Sequence, residues 1–222
     1  MTLPIHLHQV SKTYFDGGTA IHAVNSFSTA IASGSFHAVA GRSGSGKTTL
    51  LNLIGGIESP SAGDIQVGGH HLHAMDETGL SLFRRHHVGM IFQGDNLIPK
   101  LTVYENIELP LLLTGADNFA ETIRCMLSDI ALEDKGDRFP HQLSGGQKQR
   151  VAVARAMIHC PGVVLADEPT AHLDSATAAG ILELLIRLHE KTGTTVLFAT
   201  HDPAIIRRCE HVITLADGRM VS

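Results

Sequence analysis

Three features that would point to common classes of protein are missing from this sequence. Its formal net charge is −5 at pH 7, so it lacks the basic excess that general attraction to nucleic acid or to an anionic membrane surface requires. We therefore expect no nucleic-acid partner. No stretch approaches 18 consecutive apolar residues, and the start lacks the charged and apolar pattern of a secretory signal. We expect a chain that neither spans a membrane nor leaves the cytoplasm by that route.

Cysteine is also scarce. Cys125, Cys160 and Cys209 are odd in number and far apart in sequence, which argues against a disulfide framework and against a zinc site of the C-x-x-C kind. The rest of the composition, with 43% hydrophobic and 18% charged residues over 222 positions, is typical of a globular protein with one large core or two coupled subdomains.

Histidine, by contrast, is abundant, with 15 residues of which several are close in sequence. The close ones are His6, His8, His70, His71, His73, His86 and His87. His6 and His8 would lie on one face of a strand, but two imidazoles without a nearby third ligand make a weak metal site. Residues 70–73 indicate a polar loop. We expect solvated polar surface here, with a metal or haem site as the alternative.

A phosphate-loop pattern, G-x-x-x-x-G-K-[ST], is the feature around which the chain is organised. It consists of Gly41, Arg42, Ser43, Gly44, Ser45, Gly46, Lys47 and Thr48. Residues 35–40 suit a buried strand and residues 48–54 a helix, which is the context that the pattern requires. Glycine lets backbone N–H groups turn toward polyphosphate oxygens at the positive end of the helix. The motif predicts that Lys47 neutralises the β and γ phosphates, that Thr48 offers its hydroxyl to Mg²⁺, and that Thr49 continues the binding segment; a glycine turn that binds nothing is the alternative.

The remaining pattern predicts an α/β fold. Residues 3–31 indicate short strands and turns in an antiparallel layer, in which Tyr14 either stacks on a base or simply packs. Residues 95–158 are mainly helical, with a capping box formed by Thr102 and Glu105 and a second helix over 119–132. Strands over 162–167 and 194–199 flank a helix over 176–191, which predicts a mostly parallel sheet. We expect a single domain over 1–222, with a core of 1–94 and 159–222 and a helical subdomain of about 95–158.

Four further motifs follow the loop in order: LSGGQ at 143–147, VLADEPT at 164–170, AHLD at 171–174 and THD at 200–202. Together with Gln93 they resemble the nucleotide-binding subunit of an ATP-binding cassette (ABC) transporter, over essentially the whole chain. The resemblance implies a P-loop NTPase fold of the ABC type, in which a RecA-like, mostly parallel core carries an antiparallel β layer and an inserted helical subdomain. It also implies ATP and Mg²⁺ as cofactors.

The residues expected around the attacking water and Mg²⁺ are predicted in part from their positions and in part from the resemblance. Asp167 ends a predicted strand beside the phosphate loop, where it can hold Mg²⁺ directly or through water. By resemblance, Glu168 polarises the attacking water, His201 contacts the γ-phosphate, and Gln93 reaches Mg²⁺ and the water. Taken alone, His201 would suit a core or capping role and Gln93 a polar strand end.

A second phosphate site is predicted at the start of the helix that follows residue 143. It comprises Ser144, Gly145, Gly146 and Gln147, where small residues leave backbone N–H groups free for an anion. In the family this site faces the ATP of a partner copy, so two chains close head to tail over two ATPs. Asp174 would lie at that interface.

Residues 52–57, 91–93, 96–99 and 101–110 are most similar to the family branch of lipoprotein-release, macrolide-efflux, haem-efflux and antimicrobial-peptide-resistance systems. That branch implies a separate membrane permease with a large extracytoplasmic domain, and a peripheral position at the cytoplasmic face of the membrane. Arg42 and His172 are small departures from the family pattern. The main rival, a soluble ABC ATPase of translation or DNA repair, would have two cassettes or a long coiled coil, and a non-hydrolysing sensor would lack Glu168 or His201.

Overall fold

The structure is a computed structural model that describes residues 2–221. Within this range the strands are β1 Ile5–Asp16, β2 Thr19–Ile31, β3 Phe36–Ala40, β4 Ala62–Val67, β5 His70–His71, β6 Val88–Ile91, β7 Val163–Asp167, β8 Thr195–Thr200, β9 His211–Ala216 and β10 Arg219–Met220. The α-helices are α1 Lys47–Ile54, α2 Glu77–His87, α3 Val103–Thr114, α4 Ala120–Asp129, α5 Gly145–Met157, α6 Ser175–Thr192 and α7 Pro203–Ile206. Short 3₁₀ turns cover Leu72–Ala74, Glu133–Lys135 and Pro140–Gln142.

Six strands form a mostly parallel sheet in the order β10-β9-β3-β8-β7-β6, which confirms the predicted architecture. β10 is its antiparallel strand. In the parallel register Ala40 pairs with Thr200, and Asp167 pairs with Ala199. The carboxyl ends of β3, β8 and β7 therefore meet at one edge, where ligands bind in open parallel sheets.

The predicted antiparallel layer is a second sheet, ordered β2-β1-β4-β5. Its strands are longer than expected, because β1 and β2 form a hairpin of 12 and 13 residues. The pairing continues through several register shifts, and these irregularities break the strict alternation that a sequence pattern needs. A turn at Gly17 and Gly18 joins the two strands, and both glycines have positive φ.

Two apolar cores lie on opposite faces of the parallel sheet. Val164 and Ala166 of β7 point to the core formed with α3 to α6, while Leu165 points to the core shared with α1 and the antiparallel sheet. In α1, Leu50, Leu51 and Leu53 are fully buried in this second core. The helix that carries the phosphate loop is thus clamped between two sheets and cannot shift without disturbing both.

The helical segment confirms one predicted detail and corrects another. Thr102 caps α3 and forms the expected capping box with Glu105. The helix predicted over 119–132 is shorter, since α4 ends at Asp129 and Ala131 has a left-handed φ of 54°. Ile130 and Leu132 remain buried beyond the helix end, which is why the apolar pattern continued past it.

The predicted polar loop over 70–73 is in part regular structure. His70 and His71 pair with β4 as β5, and Leu72 opens a 3₁₀ turn with its side chain in the core. The three cysteines are free, with Cys125 and Cys160 exposed and Cys209 partly buried. Across residues 2–221 no helix combines the length and the apolar character that crossing a bilayer demands.

Candidate nucleotide site

The phosphate loop connects the end of β3 to the first residue of α1. Gly44 and Gly46 adopt left-handed φ values of 79° and 102°. A Cβ atom on Gly46 would lie 2.2 Å from the carbonyl oxygen of Ala23, so only glycine fits at this point. A Cβ atom on Gly41 would lie 2.4 Å from the hydroxyl of Ser45, whose side chain is buried. The loop is therefore held against β2 from one side and by its own serine from the other.

Lys47 is buried and its ammonium group is turned back into the loop. Nζ donates hydrogen bonds to the carbonyl oxygens of Gly41 at 2.9 Å and Arg42 at 3.0 Å. It also forms an ion pair with Oε1 of Glu168 at 3.0 Å, with the lysine side chain only 4% exposed. The lysine charge is therefore neutralised within the chain, by a carboxylate that an incoming polyphosphate would have to replace.

Asp167 has the environment of a cation ligand. Its Oδ2 accepts a hydrogen bond from the hydroxyl of Thr48 at 2.9 Å, whereas Oδ1 is buried with no hydrogen-bond partner in the described range. Burial, together with the nearby carboxylate of Glu168, raises the pKa of Asp167 above its ordinary value, against the opposing effect of the Thr48 hydrogen bond. The Thr48 hydroxyl and the Asp167 carboxylate, whose Oδ1 has no partner among residues 2–221, are oxygen ligands of the kind that Mg²⁺ prefers.

Glu168 is held in a strained backbone conformation directly after β7. Its φ is 43°, and its N–H donates to the carbonyl oxygen of Ala199 at 3.1 Å. Non-glycine residues in this region carry on the order of 1–3 kcal/mol of strain and concentrate at functional sites. The carboxylate lies between two cations or potential cations, with Lys47 on Oε1 and His201 Nδ1 at 3.1 Å from Oε2. His201 follows β8 and is more than half exposed.

Most of the sequence-predicted residues of the first phosphate site surround one cavity of about 260 Å³. Its lining consists of Ala23, Ser43, Gly44, Gly46, Lys47, Thr48, Thr49, Gln93, Asp167 and Glu168. Gln93 follows β6 and thus comes from a strand next to β7. Gly41 and Arg42 contribute through the carbonyl oxygens that hold Lys47.

Tyr14 lies beside this cavity without lining it. Its hydroxyl donates to Oε2 of Glu58 at 2.5 Å, and the ammonium of Lys12 lies 5.3 Å from its ring centroid. Burial and the Glu58 hydrogen bond raise the pKa of Tyr14, and the side chain of Thr49, a cavity residue, opposes this rise. The ring is fixed at the edge of the site and 37% of the residue is exposed. Base stacking by Tyr14 stays a prediction.

The second predicted phosphate site is separate. Ser144 caps α5 in a reciprocal arrangement: its hydroxyl accepts from Gln147 N–H at 3.3 Å, and its own N–H donates to the Gln147 side chain at 2.9 Å. Gly145, Gly146 and Asp174 line the same cavity, which measures about 470 Å³. Its lining shares no residue with that of the first cavity.

Asp174 is occupied as the cap of α6. Its carboxylate accepts from the N–H groups of Ala176 and Thr177 and from the Thr177 hydroxyl, and these hydrogen bonds lower the pKa of Asp174. A Cβ atom on Gly146 would lie 2.6 Å from the methyl carbon of Thr177. Thr177 therefore links Asp174 to the start of α5, a role that no spacing in the sequence indicates.

Comparisons with known proteins agree with this geometry. The family model described as ABC transporter matches residues 24–171. An uncharacterised ABC transporter ATP-binding protein of Mycobacterium tuberculosis is 42% identical over 219 residues, which cover 98% of this chain and 88% of that protein. The methionine import ATP-binding protein MetN 1 of Listeria monocytogenes is 42% identical over 98% of this chain, which spans only 65% of that longer protein.

Among solved structures, the ATP-binding cassette MJ0796 of Methanocaldococcus jannaschii, in a dimeric post-hydrolysis state bound to ADP and Pi, superimposes with a TM-score of 0.90 at 40% identity. The match covers 98% of this chain and 97% of that one. The chain therefore belongs to the ABC transporter family and is an ATPase of the ATP-binding cassette type.

Proposed function

We propose that this chain is the motor subunit of an ABC transporter, that it closes head to tail with a second copy around two ATPs, and that it drives a separate membrane permease for efflux or extraction. The observation that carries the proposal is the presence of two helix starts rich in small residues, each of which lines a separate cavity. Because one chain does not bring them to one ligand, a complete site needs the loop of one copy and the α5 start of another. The dimeric state of the MJ0796 cassette supports this arrangement.

Within each nucleotide site we assign the residues roles in phosphate binding, Mg²⁺ binding and catalysis. The phosphate-loop N–H groups and Lys47 hold the β and γ phosphates, and Thr48, Asp167 and Gln93 are the oxygen donors for Mg²⁺. When bound, the ion would neutralise phosphate charge. Glu168 orients and polarises the attacking water, and His201, held by Glu168 at 3.1 Å, fixes the γ-phosphate end of the site. Tyr14 supports the base.

From the partner copy come Ser144, Gly145, Gly146 and Gln147, with Asp174 at the interface. The Gln147 N–H already donates to Ser144, so the N–H groups of Gly145 and Gly146 are the ones that would meet a phosphate once the second copy closes. The Ser144 oxygen is already an acceptor for Gln147, which leaves its proton free to donate.

A dimerisation experiment tests the shared site. Glu168→Gln should elute as a dimer in ATP and Mg²⁺ and as a monomer in ADP, measured by size-exclusion chromatography with light scattering. The matched control is Glu168→Gln combined with Ser144→Arg, which differs only at the α5 start and should stay monomeric in ATP. Dimerisation of the double variant would contradict the head-to-tail site, and failure of both to dimerise would contradict ATP-driven closure.

We further propose that residues 95–158 act as the helical subdomain against a core of 1–94 and 159–222, and that the permease docks where the two meet. A groove of about 430 Å³ lies there between α2, β6 and α3, and includes Arg84, Phe92 and Leu113. Phe92 precedes Gln93 in the chain, so a movement of the groove on docking can shift Gln93 in the nucleotide site. Leu113 is 52% exposed, which suits an apolar contact.

The direction of transport and the partner are tested together. We propose a permease with a large extracytoplasmic domain, acting on a lipoprotein, drug, peptide or haem at the cytoplasmic membrane. Import is the second candidate, favoured by the similarity to MetN 1. Mass spectrometry of the membrane protein that co-purifies with the chain from detergent-solubilised membranes should identify a permease with such a domain. A compact permease that depends on a substrate-binding protein would favour import.

The docking groove is tested in the same experiment. Leu113→Arg should abolish the association with the permease, whereas the control Phe15→Arg, which changes an exposed residue of the β1–β2 hairpin, should not.

A further inference from the structure

We propose a transition-metal site on the outer face of the antiparallel sheet, formed by Asp64, His71 and His73. One potential ligand atom of each residue lies within 4.8 Å of the others. Oδ2 of Asp64 is 3.1 Å from His71 Nδ1, and Oδ1 is 2.5 Å from His73 Nδ1. Two imidazoles therefore converge on a single carboxylate, about 100 residues in sequence from Asp167 and on a different sheet.

The third ligand is the residue that the sequence did not reveal. His71 and His73 are neighbours in the chain, but Asp64 joins them only because β5 folds back on β4 and pairs Gln66 with His71. Asp64 is then diagonal to His71 on the same strand pair, within the range of cross-strand contacts. The cluster is a product of strand register and not of spacing.

The three residues are held on rigid elements. Asp64 lies on β4, which pairs with β1 on one side and β5 on the other. His73 lies in the 3₁₀ turn whose Leu72 is 4% exposed and belongs to the same core as Leu80 and Phe83 of α2. A tetrahedral zinc site with bonds of about 2.0–2.1 Å needs donor atoms roughly 3.4 Å apart, so small side-chain rotations suffice.

The donor set predicts which ion is bound. Two imidazole nitrogens and one carboxylate oxygen suit Zn²⁺ or a neighbouring divalent transition metal, whereas Mg²⁺ prefers oxygen alone. The two histidine side chains are about half exposed and that of Asp64 is 36% exposed, so an ion can enter from solvent and water can occupy a fourth position. His8 is the register partner of Asp64 on β1 and shares its face, which places another imidazole within reach of that position.

The test is a calorimetric titration of Zn²⁺ into the full chain without a histidine tag, with millimolar Mg²⁺ and no nucleotide. Millimolar Mg²⁺ competes for sites made of oxygen donors alone and leaves the imidazole cluster free. We expect one saturable zinc site, and a loss of affinity on the order of 10-fold or more in each of Asp64→Asn, His71→Ala and His73→Ala. His22→Ala is the matched control, because it removes an exposed imidazole of the same sheet that contacts Thr13 and lies outside the cluster.

A second readout separates ligand loss from misfolding. Zn²⁺ should raise the unfolding temperature of the parent and of His22→Ala, but not of the double variant His71→Ala/His73→Ala, whose ATPase activity and metal-free unfolding temperature should match the parent. Absence of saturable binding in the parent would overturn the site, as would equal weakening in His22→Ala. Unchanged binding in Asp64→Asn and in the double variant would place the ion elsewhere.

Discussion

Glu168 has a proposed role in catalysis and an ion pair with Lys47, and one substitution tests both. Glu168→Gln keeps the size of the side chain and its ability to accept a hydrogen bond, but removes its charge. Because Glu168 is the proposed general base, its loss should slow hydrolysis by about 10²–10⁴-fold. The same change should also affect the stability of the fold, because Glu168 is the anion that neutralises Lys47 at 3.0 Å.

The size of this second effect follows from burial. The lysine side chain is 4% exposed and the glutamate side chain 17%, so solvent screens the pair only weakly. A glutamine oxygen would still accept from Nζ, which reduces the loss from that of a charged hydrogen bond to about 1–2 kcal/mol. Relief of the repulsion between Glu168 and Asp167 offsets part of this. At about 2–4 °C per kcal/mol for a chain of this size, we expect the unfolding temperature to fall by a few degrees.

ATP binding should change in the opposite direction. In the parent, phosphates must displace Glu168 from Lys47, whereas in the variant they meet a weaker competitor and one negative charge fewer. A difference of about 1–2 kcal/mol corresponds to roughly 5–30-fold tighter binding. Fluorescent-nucleotide titration measures the affinity, differential scanning fluorimetry without nucleotide measures the stability, and phosphate release measures turnover.

The matched control is Glu183→Gln, which removes a carboxylate from an exposed ion pair with Arg208. Exposed pairs contribute little, so this variant should match the parent in all three assays. Parent-like turnover of Glu168→Gln would transfer the base role to another residue, with His201 the first suspect. Unchanged ATP affinity and unchanged stability would show that the Lys47–Glu168 pair does not govern the resting site.

The remaining predictions concern the other site residues. Lys47→Ala should lose most nucleotide affinity, measured by fluorescent titration, because it removes the one full positive charge that the motif places on the phosphates; equal affinity would contradict that role. The ATPase rate of the isolated parent should rise steeply with protein concentration, and Ser144→Arg should abolish hydrolysis with little effect on monomer binding; a concentration-independent rate would contradict a shared site. Asp167→Asn should abolish hydrolysis yet raise the nucleotide-free unfolding temperature by a few degrees, because it removes a charge that burial disfavours. A carboxyl whose pKa is raised destabilises the fold above that pKa, so this gain should shrink as pH falls toward the ordinary value of 3.8, and a gain that grows in acid would contradict it.

Local signals in the sequence predicted local structure well. The capping box of Thr102 and Glu105 and the strand that ends in Asp167 are each specified within a few residues, because hydrogen bonds and periodicity act at that range. The predicted end of α4 was wrong, because Ile130 and Leu132 are buried and continue the apolar pattern beyond Asp129, where the helix ends.

Contacts between distant segments were beyond sequence reasoning. Register decides that Asp64 meets His71 and that Ala23 blocks any side chain at position 46, and no spacing encodes either contact. The family motifs predicted the members of the nucleotide site but not the contacts among them. That Lys47 and Glu168 neutralise each other follows only from the meeting of β7 with the phosphate loop.

The two helix starts are the reason why we propose that closure needs both ATP and a second copy. The chain uses one physical device twice, a helix start rich in small residues, at α1 and at α5. Their cavities have no lining residue in common, so a polyphosphate held at α1 has one side uncovered by its own chain. In the proposed dimer, a two-fold axis would bring α5 of the partner to that side and would do the same for the partner's ATP, since an isologous interface repeats every contact. ATP would also compete with Glu168 for Lys47, and contacts from the second copy would compensate for the loss of that ion pair.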